Sequence, residues 1–216
     1  MSFLKIGVLA SGRGSNFQSI IDQIKSKRLK AEIGLLITDN PSAFAIERAK
    51  AHSIEYLVIT PKKYSSRDDF FIKTANELKK RDVELVVLAG FMRIVRKPLI
   101  DAFPNRIMNI HPALLPAFPG LHGQKQAIEH GVKISGCTVH FVDEGMDTGP
   151  IIIQAAVPIL QEDTEETLSE RILRYEHKIY PEAIRLFSEG RIKVEGRKVI
   201  IRGYTPFDAH IINPSI

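Results

Sequence analysis

Up to Ala89 the chain alternates short apolar runs with segments of helical spacing, and this alternation constrains the fold more than any other feature. Lys5 to Ala10 reads as a strand, and Ser11-Gly12-Arg13-Gly14-Ser15-Asn16 as a glycine turn. From Asn16 to Lys27 the apolar residues Phe17, Ile20, Ile21 and Ile24 recur at helical spacing. Ile33 to Thr38 is a second strand, and Asp39-Asn40-Pro41-Ser42 supplies turn and cap residues for a helix through Ala51. Ile54 to Ile59 is a third, short strand, followed by a polar, basic loop from Thr60 to Arg67. Asp68 to Arg81 is an amphipathic helix expected to turn Phe71, Ile72, Ala75 and Leu78 inward. Val83 to Ala89 is almost continuously apolar, as a parallel strand covered on both faces would be. A βαβα series of this kind predicts a doubly wound parallel sheet.

The second half reads differently. Arg106 to Ile110 is a short buried strand, and Leu121 to His130 a helix ending at Gly131. The β-rich runs Val132 to Val142 and Ile151 to Ile159 flank the acidic turn Asp143 to Pro150. That predicts a hairpin, so the sheet gains antiparallel strands. Thr164 to Glu189 is a long helix with Leu168, Ile172, Tyr175, Ile179, Ile184 and Phe187 near helical spacing and a kink expected at Pro181. Arg191 to Ile201 is a hairpin around Gly196. With 216 residues and no repeat, low-complexity segment or linker, the expectation is one α/β domain spanning 1–216. Its sheet is Rossmann-like, parallel in the N-terminal half and antiparallel in the C-terminal half.

Composition excludes several classes. No segment approaches the roughly 18 to 20 uncharged apolar residues of a membrane span. The N-terminus lacks the charged region and longer apolar stretch of a signal peptide. The single cysteine, Cys137, forms no intramolecular disulfide and supports no cysteine-based zinc site. A cytoplasmic protein is expected. The net charge of +5 is spread along the chain, with no basic stripe interleaved with aromatics. A small anionic substrate accounts for it as well as nucleic acid would.

Ligands of doubly wound sheets sit beyond the carboxyl ends of the strands. That puts Gly12 to Asn16, Gly90-Phe91-Met92-Arg93 and Asn109-Ile110-His111 on one rim. Strand, glycine loop and helix is a context in which backbone N–H groups bind phosphate. The loop has Phe17 where a dinucleotide fingerprint has its third glycine, and it lacks the lysine of a P-loop, so a phosphomonoester suits it better. Equally, any tight strand-to-helix turn favours Gly and Ser. The stretch Gly90 to Val95 is an apolar binding wall if exposed and plain core if buried. Asn109 and His111, at i and i+2 of an extended segment, project to the same side, and Pro112 keeps His111 out of a helix. They read either as chemistry or as a hydrogen-bonded strand end. With Asp147 they compose an amide, an imidazole and a carboxylate, a set suited to acyl or formyl transfer. The amide and a protonated imidazole would stabilise an oxyanion, while the carboxylate would favour the charged imidazole and move a proton. Sequence alone leaves the distance from Asp147 to His111 open.

The pieces Ser11-Gly12-Arg13-Gly14-Ser15-Asn16, Leu88-Ala89-Gly90-Phe91-Met92-Arg93-Ile94, Asn109-Ile110-His111-Pro112-Ala113-Leu114-Leu115-Pro116, Gly136 to Phe141 and Asp147-Thr148-Gly149-Pro150 occur in that order. In them the chain closely resembles the phosphoribosylglycinamide formyltransferase family of folate-dependent enzymes. The resemblance implies the formyltransferase fold, with 1–105 as the nucleotide- and phosphate-binding half and 106–216 as the catalytic and folate-binding half. It implies 10-formyltetrahydrofolate as formyl donor, glycinamide ribonucleotide as acceptor, no metal, no nucleic acid or membrane partner, and a monomer or homodimer. It assigns the phosphate to Gly14, Ser15 and Asn16, the ribose hydroxyls to Glu176, and the folate to Arg67, Met92, Arg93, Ile94, Val95 and Asn109. Catalysis falls to Asn109, His111 and Asp147, with His140 in support. Arg67 and Glu176 also read as an ordinary helix-start residue and a helix-surface charge. Arg13 and Ala117-Phe118 depart from the family pattern.

The same core serves other folate enzymes. A methionyl-tRNA formyltransferase is expected to add a C-terminal RNA-binding domain, where this chain has a hairpin and tail after Glu189. A formyltetrahydrofolate hydrolase is expected to carry an N-terminal regulatory domain, where this chain starts its catalytic strand near residue 4. A sugar-amine formyltransferase has no need of the phosphate grip, and a non-catalytic binder no need of all three chemical residues.

Overall fold

The first apolar run forms β1 (Leu4–Leu9) and leads through the glycine turn into α1 (Ser15–Lys25). The structure is a computed structural model describing residues 3–205 and 211–214. Next come β2 (Ala31–Thr38), α2 (Ala45–Ala51), β3 (Tyr56–Val58), a 3-10 turn at Pro61–Lys63, α3 (Arg67–Lys79) and β4 (Leu85–Leu88). These follow the expected order, with ends shifted by a residue or two. Strand pairing in this stretch is parallel: β1 with β2, β1 with β4, and β2 with β3. An additional helix, α4 (Lys97–Ala102), has no counterpart in the sequence reading. It is too short for periodicity to register, and Pro98 sits where the first turn tolerates it.

β5 (Ile107–His111) pairs parallel with β4. It is followed by α5 (Gly123–Glu129), β6 (Ile134–Phe141), β7 (Ile151–Pro158) and α6 (Glu165–Ser188), then the hairpin β8 (Ile192–Glu195) and β9 (Lys198–Ile201). β6 and β7 pair antiparallel, as the two β-runs predicted. The order of the seven-stranded sheet is β3-β2-β1-β4-β5-β6-β7, and β8-β9 form a separate pair.

The chain divides into two compact units, Met1–Asn109 with Phe141–Glu144 and Ile110–His140 with Gly145–Ile216. The first has a core built on Leu9, Leu35, Phe70, Phe71, Leu78, Val86, Leu99 and Ile107. On α3, Phe71, Ala75 and Leu78 are buried as expected, but Ile72 is 46% exposed and Phe70 faces inward instead. Ile72 lies about 100° around the helix from Phe71, off the apolar stripe. Asn40 does not cap α2, whose N-cap is Phe44 without a side-chain bond. Its Oδ1 accepts from the Ser42 N–H, and its Nδ2 donates to the Ser11 carbonyl.

In the second unit α6 packs on β7. It starts at a capping box, where the Thr164 hydroxyl accepts the Thr167 N–H and the Thr167 hydroxyl accepts the Thr164 N–H. Such a cap contributes about 1 kcal/mol. The helix runs through Pro181, and its buried stripe is Leu168, Ile172, Glu176, Tyr180 and Ile184. Tyr175, one of the residues near helical spacing, is 38% exposed, and Tyr180 takes the core position. A step of four residues, from Ile172 through Glu176 to Tyr180, keeps the stripe on one face.

Candidate active site

In the first unit three strand ends stand level, because Leu9 pairs with Leu88 and Leu88 with Asn109. Beyond them the chain is cross-tied. The Ser11 N–H donates to the Gly90 carbonyl at 3.0 Å, and the Met92 N–H donates to the Ser11 hydroxyl at 3.0 Å. The glycine loop then enters α1 at Gly14, an N-cap with φ +66° and no side-chain cap. The N–H groups and the dipole at a helix N-terminus favour an anion. Ser15 opens the helix and Asn16 is buried. Arg13 is exposed. The rim inferred from the sequence is therefore present in this unit for the glycine loop, Gly90 to Arg93 and Asn109.

In the second unit the imidazole and the carboxylate meet. His111, at the end of β5, is only 4% exposed, and its Nδ1 lies 3.3 Å from Asp147 Oδ2. Its Nε2 stands 2.8 Å from the Phe118 carbonyl oxygen. Both ring nitrogens thus face acceptors. Asp147 has a positive φ of +56° and also accepts the Gly120 N–H through Oδ2 at 2.8 Å. On the other carboxylate oxygen, Oδ1, the buried His140 approaches with Nε2 at 3.7 Å. The sequence named His111, Asp147 and His140. It missed Gly120 and Phe118, which act through backbone atoms and leave no side-chain signal.

A family model described as formyl transferase matches residues 4–184. The chain belongs to the formyl transferase family. It is 47% identical to the phosphoribosylglycinamide formyltransferase of Bacillus subtilis (strain 168), covering 84% of this chain and 93% of that protein. The solved structure of glycinamide ribonucleotide transformylase 1 from Symbiobacterium toebii superimposes with a TM-score of 0.91 at 54% identity, covering 92% of this chain and 94% of that one. The trifunctional purine biosynthetic protein adenosine-3 of Drosophila pseudoobscura pseudoobscura is 48% identical over 88% of this chain. There the chain spans only 14% of the relative's length.

The remaining positions that the formyl transferase resemblance singled out are spread over both units. Arg67 is exposed on the first residue of α3. Met92 and Ile94 are 65% and 64% exposed, whereas Val95 is buried in the core of the first unit. The stretch that read as either wall or core is therefore both, residue by residue. Arg93 donates from Nε to Asp39 Oδ2 at 2.5 Å. Glu176 is 7% exposed on α6, so it is no ordinary surface charge. Cys137 is fully buried, and burial, with a smaller contribution from the Glu176 charge, pushes its thiol up to about 12. A thiol held protonated is a poor nucleophile. Among the described residues no group of three or more His, Cys, Asp or Glu is arranged to hold a metal. No helix among them is long and apolar enough to cross a membrane.

Proposed function

We propose that this formyl transferase carries a formyl group from 10-formyltetrahydrofolate to the primary amine of glycinamide ribonucleotide, a step of purine biosynthesis. The observation that carries the reading is the His111–Asp147 pair at 3.3 Å. It occurs in a chain 47% identical, over 84% of its own length and 93% of the relative's, to a protein named phosphoribosylglycinamide formyltransferase.

Attack of the amine on the formyl carbon forms a new C–N bond and moves charge onto the formyl oxygen. The Asn109 amide donates to that oxygen, and so does the His111 Nε2–H, which exchanges the Phe118 carbonyl it faces at 2.8 Å for the substrate. Asp147 orients His111 and accepts the proton that the amine sheds, directly or through water. The proton passes to the folate nitrogen as its C–N bond breaks. Gly14, Ser15 and Asn16 hold the phosphate, and Glu176 accepts from the ribose hydroxyls. Arg67, Met92, Arg93 and Ile94 receive the folate, with Val95 backing them from the core and Asn109 reaching the reacting group. The exposure of Arg67, Met92 and Ile94 supports this role.

Purified protein with both substrates is expected to form the formylated ribonucleotide, with folate turnover strictly dependent on the amine. Formate release without the amine would make water the acceptor and assign the chain to hydrolysis. Absence of any turnover would reject the reading.

A further inference from the structure

The glycine loop does not shape itself. Three consecutive carbonyls in it are each held by one neighbouring segment, from the end of β2 into α2. The Ser11 carbonyl accepts from Asn40 Nδ2 at 3.1 Å, the Gly12 carbonyl from the Ala45 N–H at 3.1 Å, and the Arg13 carbonyl from Arg48 Nε at 2.9 Å. None of these peptides is cis. In a planar trans peptide the C=O of one residue and the N–H of the next point in opposite directions. Holding the three carbonyls therefore aims the N–H groups of Gly12, Arg13 and Gly14 away from their anchors. Gly14 continues the series, since its own carbonyl accepts the Gln18 N–H at 2.9 Å and turns the Ser15 N–H outward at the start of α1. Successive N–H groups presented without competing carbonyls are what an anion-binding nest requires.

Two of the anchors, Asn40 and Arg48, are side chains, and Arg48 is itself braced. Its Nη1 donates to Gln18 Oε1 at 3.0 Å, and Gln18 Nε2 donates to Asp22 Oδ1 at 2.9 Å. The guanidinium also lies over the Phe44 ring at 5.1 Å. At Gly14 the fit leaves no slack, for a Cβ there would stand 2.9 Å from the Ala45 Cβ. We propose that Arg48 is a positioning residue for phosphate recognition. It fixes the Arg13–Gly14 peptide so that the loop presents N–H groups and no carbonyl to the nucleotide phosphate. The inference rests on the phosphate assignment made above and extends it to a residue on another helix.

The test compares wild type, Arg48→Ala and Arg48→Lys. In Arg48→Ala the KM for the ribonucleotide is expected to rise about tenfold or more, the effect of one charge-assisted hydrogen bond, while kcat and the folate KM stay within about twofold. Against the substrate lacking its phosphate, the variant and wild type should be equally active. Arg48→Lys keeps the charge but cannot reach both Arg13 and Gln18, so it should remain impaired. An unchanged KM in Arg48→Ala, full recovery in Arg48→Lys, or equal loss with the dephosphorylated substrate would overturn the proposal. Titration with inorganic phosphate, read by the amide NMR signals of Gly12, Arg13 and Gly14, separates this inference from the enzymatic reading. Arg48-dependent shifts in a protein that formylates nothing would leave the inference standing and reject the activity. An active enzyme with no such shifts would do the reverse.

Discussion

His111 Nδ1 lies 3.3 Å from an Asp147 oxygen that also accepts the Gly120 N–H at 2.8 Å. One carboxylate oxygen thus serves a ring and a backbone amide from two different parts of the second unit. The proximity makes Asp147 a candidate for proton handling, and the amide bond fixes where its charge sits.

Asp147→Asn isolates that charge. Asparagine tolerates the left-handed φ of +56° at this position, and its carbonyl oxygen can still accept the Gly120 N–H. The expected result is a kcat lower by roughly 10²–10⁴-fold with little change in nucleotide binding, the usual range for losing an acid–base group. Steady-state kinetics beside a direct binding titration checks it. An unchanged kcat would remove Asp147 from the proposed chemistry.

The parallel core was legible because period and punctuation agreed. Apolar runs such as Val83 to Ala89 have few other homes than a strand covered on both faces. The strand carrying Asn109 and His111 was legible for the same reason. Other features were not. The Asp147–His111 distance links residues joined by a loop, a helix and a strand, and no local pattern encodes it. Glu176 read both as a site residue and as a surface charge, because a carboxylate at the Ile172–Tyr180 spacing is indistinguishable, in sequence, from one a quarter-turn away. The hold of Arg48 on the glycine loop ends on a backbone carbonyl, and every residue has one.

Cys137 should be a bystander. With its thiol at about 12, the reactive thiolate is scarce at ordinary pH, and full burial adds a steric barrier. Alkylation of the folded protein, followed by mass spectrometry, is expected to be far slower than alkylation of the unfolded chain. Cys137→Ala should retain turnover within a few-fold while losing about 1–2 kcal/mol of stability to the small cavity. A hundredfold loss of turnover in a folded variant would contradict this.

Acid should unfold the protein partly through two carboxylates. Glu77 receives Lys73 at 2.7 Å, Arg81 at 2.8 Å and Lys80 at 3.1 Å, and these hydrogen bonds hold its carboxyl down at about 2 from an ordinary 4.5. Asp163 is gripped by both Nη atoms of Arg171 at 2.6 and 2.7 Å and lies at about 2 instead of 3.8. As pH falls below 4.5, the unfolded chain takes up protons that the folded chain refuses. The stabilisation is therefore complete above that pH and lost as pH falls to about 2. Glu77→Gln and Asp163→Asn should each cost about 1–2 kcal/mol at neutral pH and flatten the decline in acid. Urea unfolding across that range measures both effects, and an unaltered slope in the variants would reject the assignment.

The two glycines of the loop should respond differently to the same substitution. Gly12 lies outside the left-handed region, and a Cβ there would meet nothing within 4 Å. Gly14 combines φ +66° with Ala45 Cβ and Cα at 2.9 and 3.2 Å from where a Cβ would stand. Gly12→Ala is expected to leave stability within about 0.5 kcal/mol or raise it slightly, because alanine narrows the unfolded ensemble. Gly14→Ala should cost about 1–3 kcal/mol, from the left-handed backbone and from the displacement of Ala45. That displacement also disturbs the Ala45 N–H anchor on the Gly12 carbonyl, so the ribonucleotide KM should rise with it. Urea unfolding and steady-state kinetics on both variants give the comparison. Equal stability of the two would mean that the loop relaxes freely around Gly14, and the tight seat of α2 against it would then have no energetic consequence.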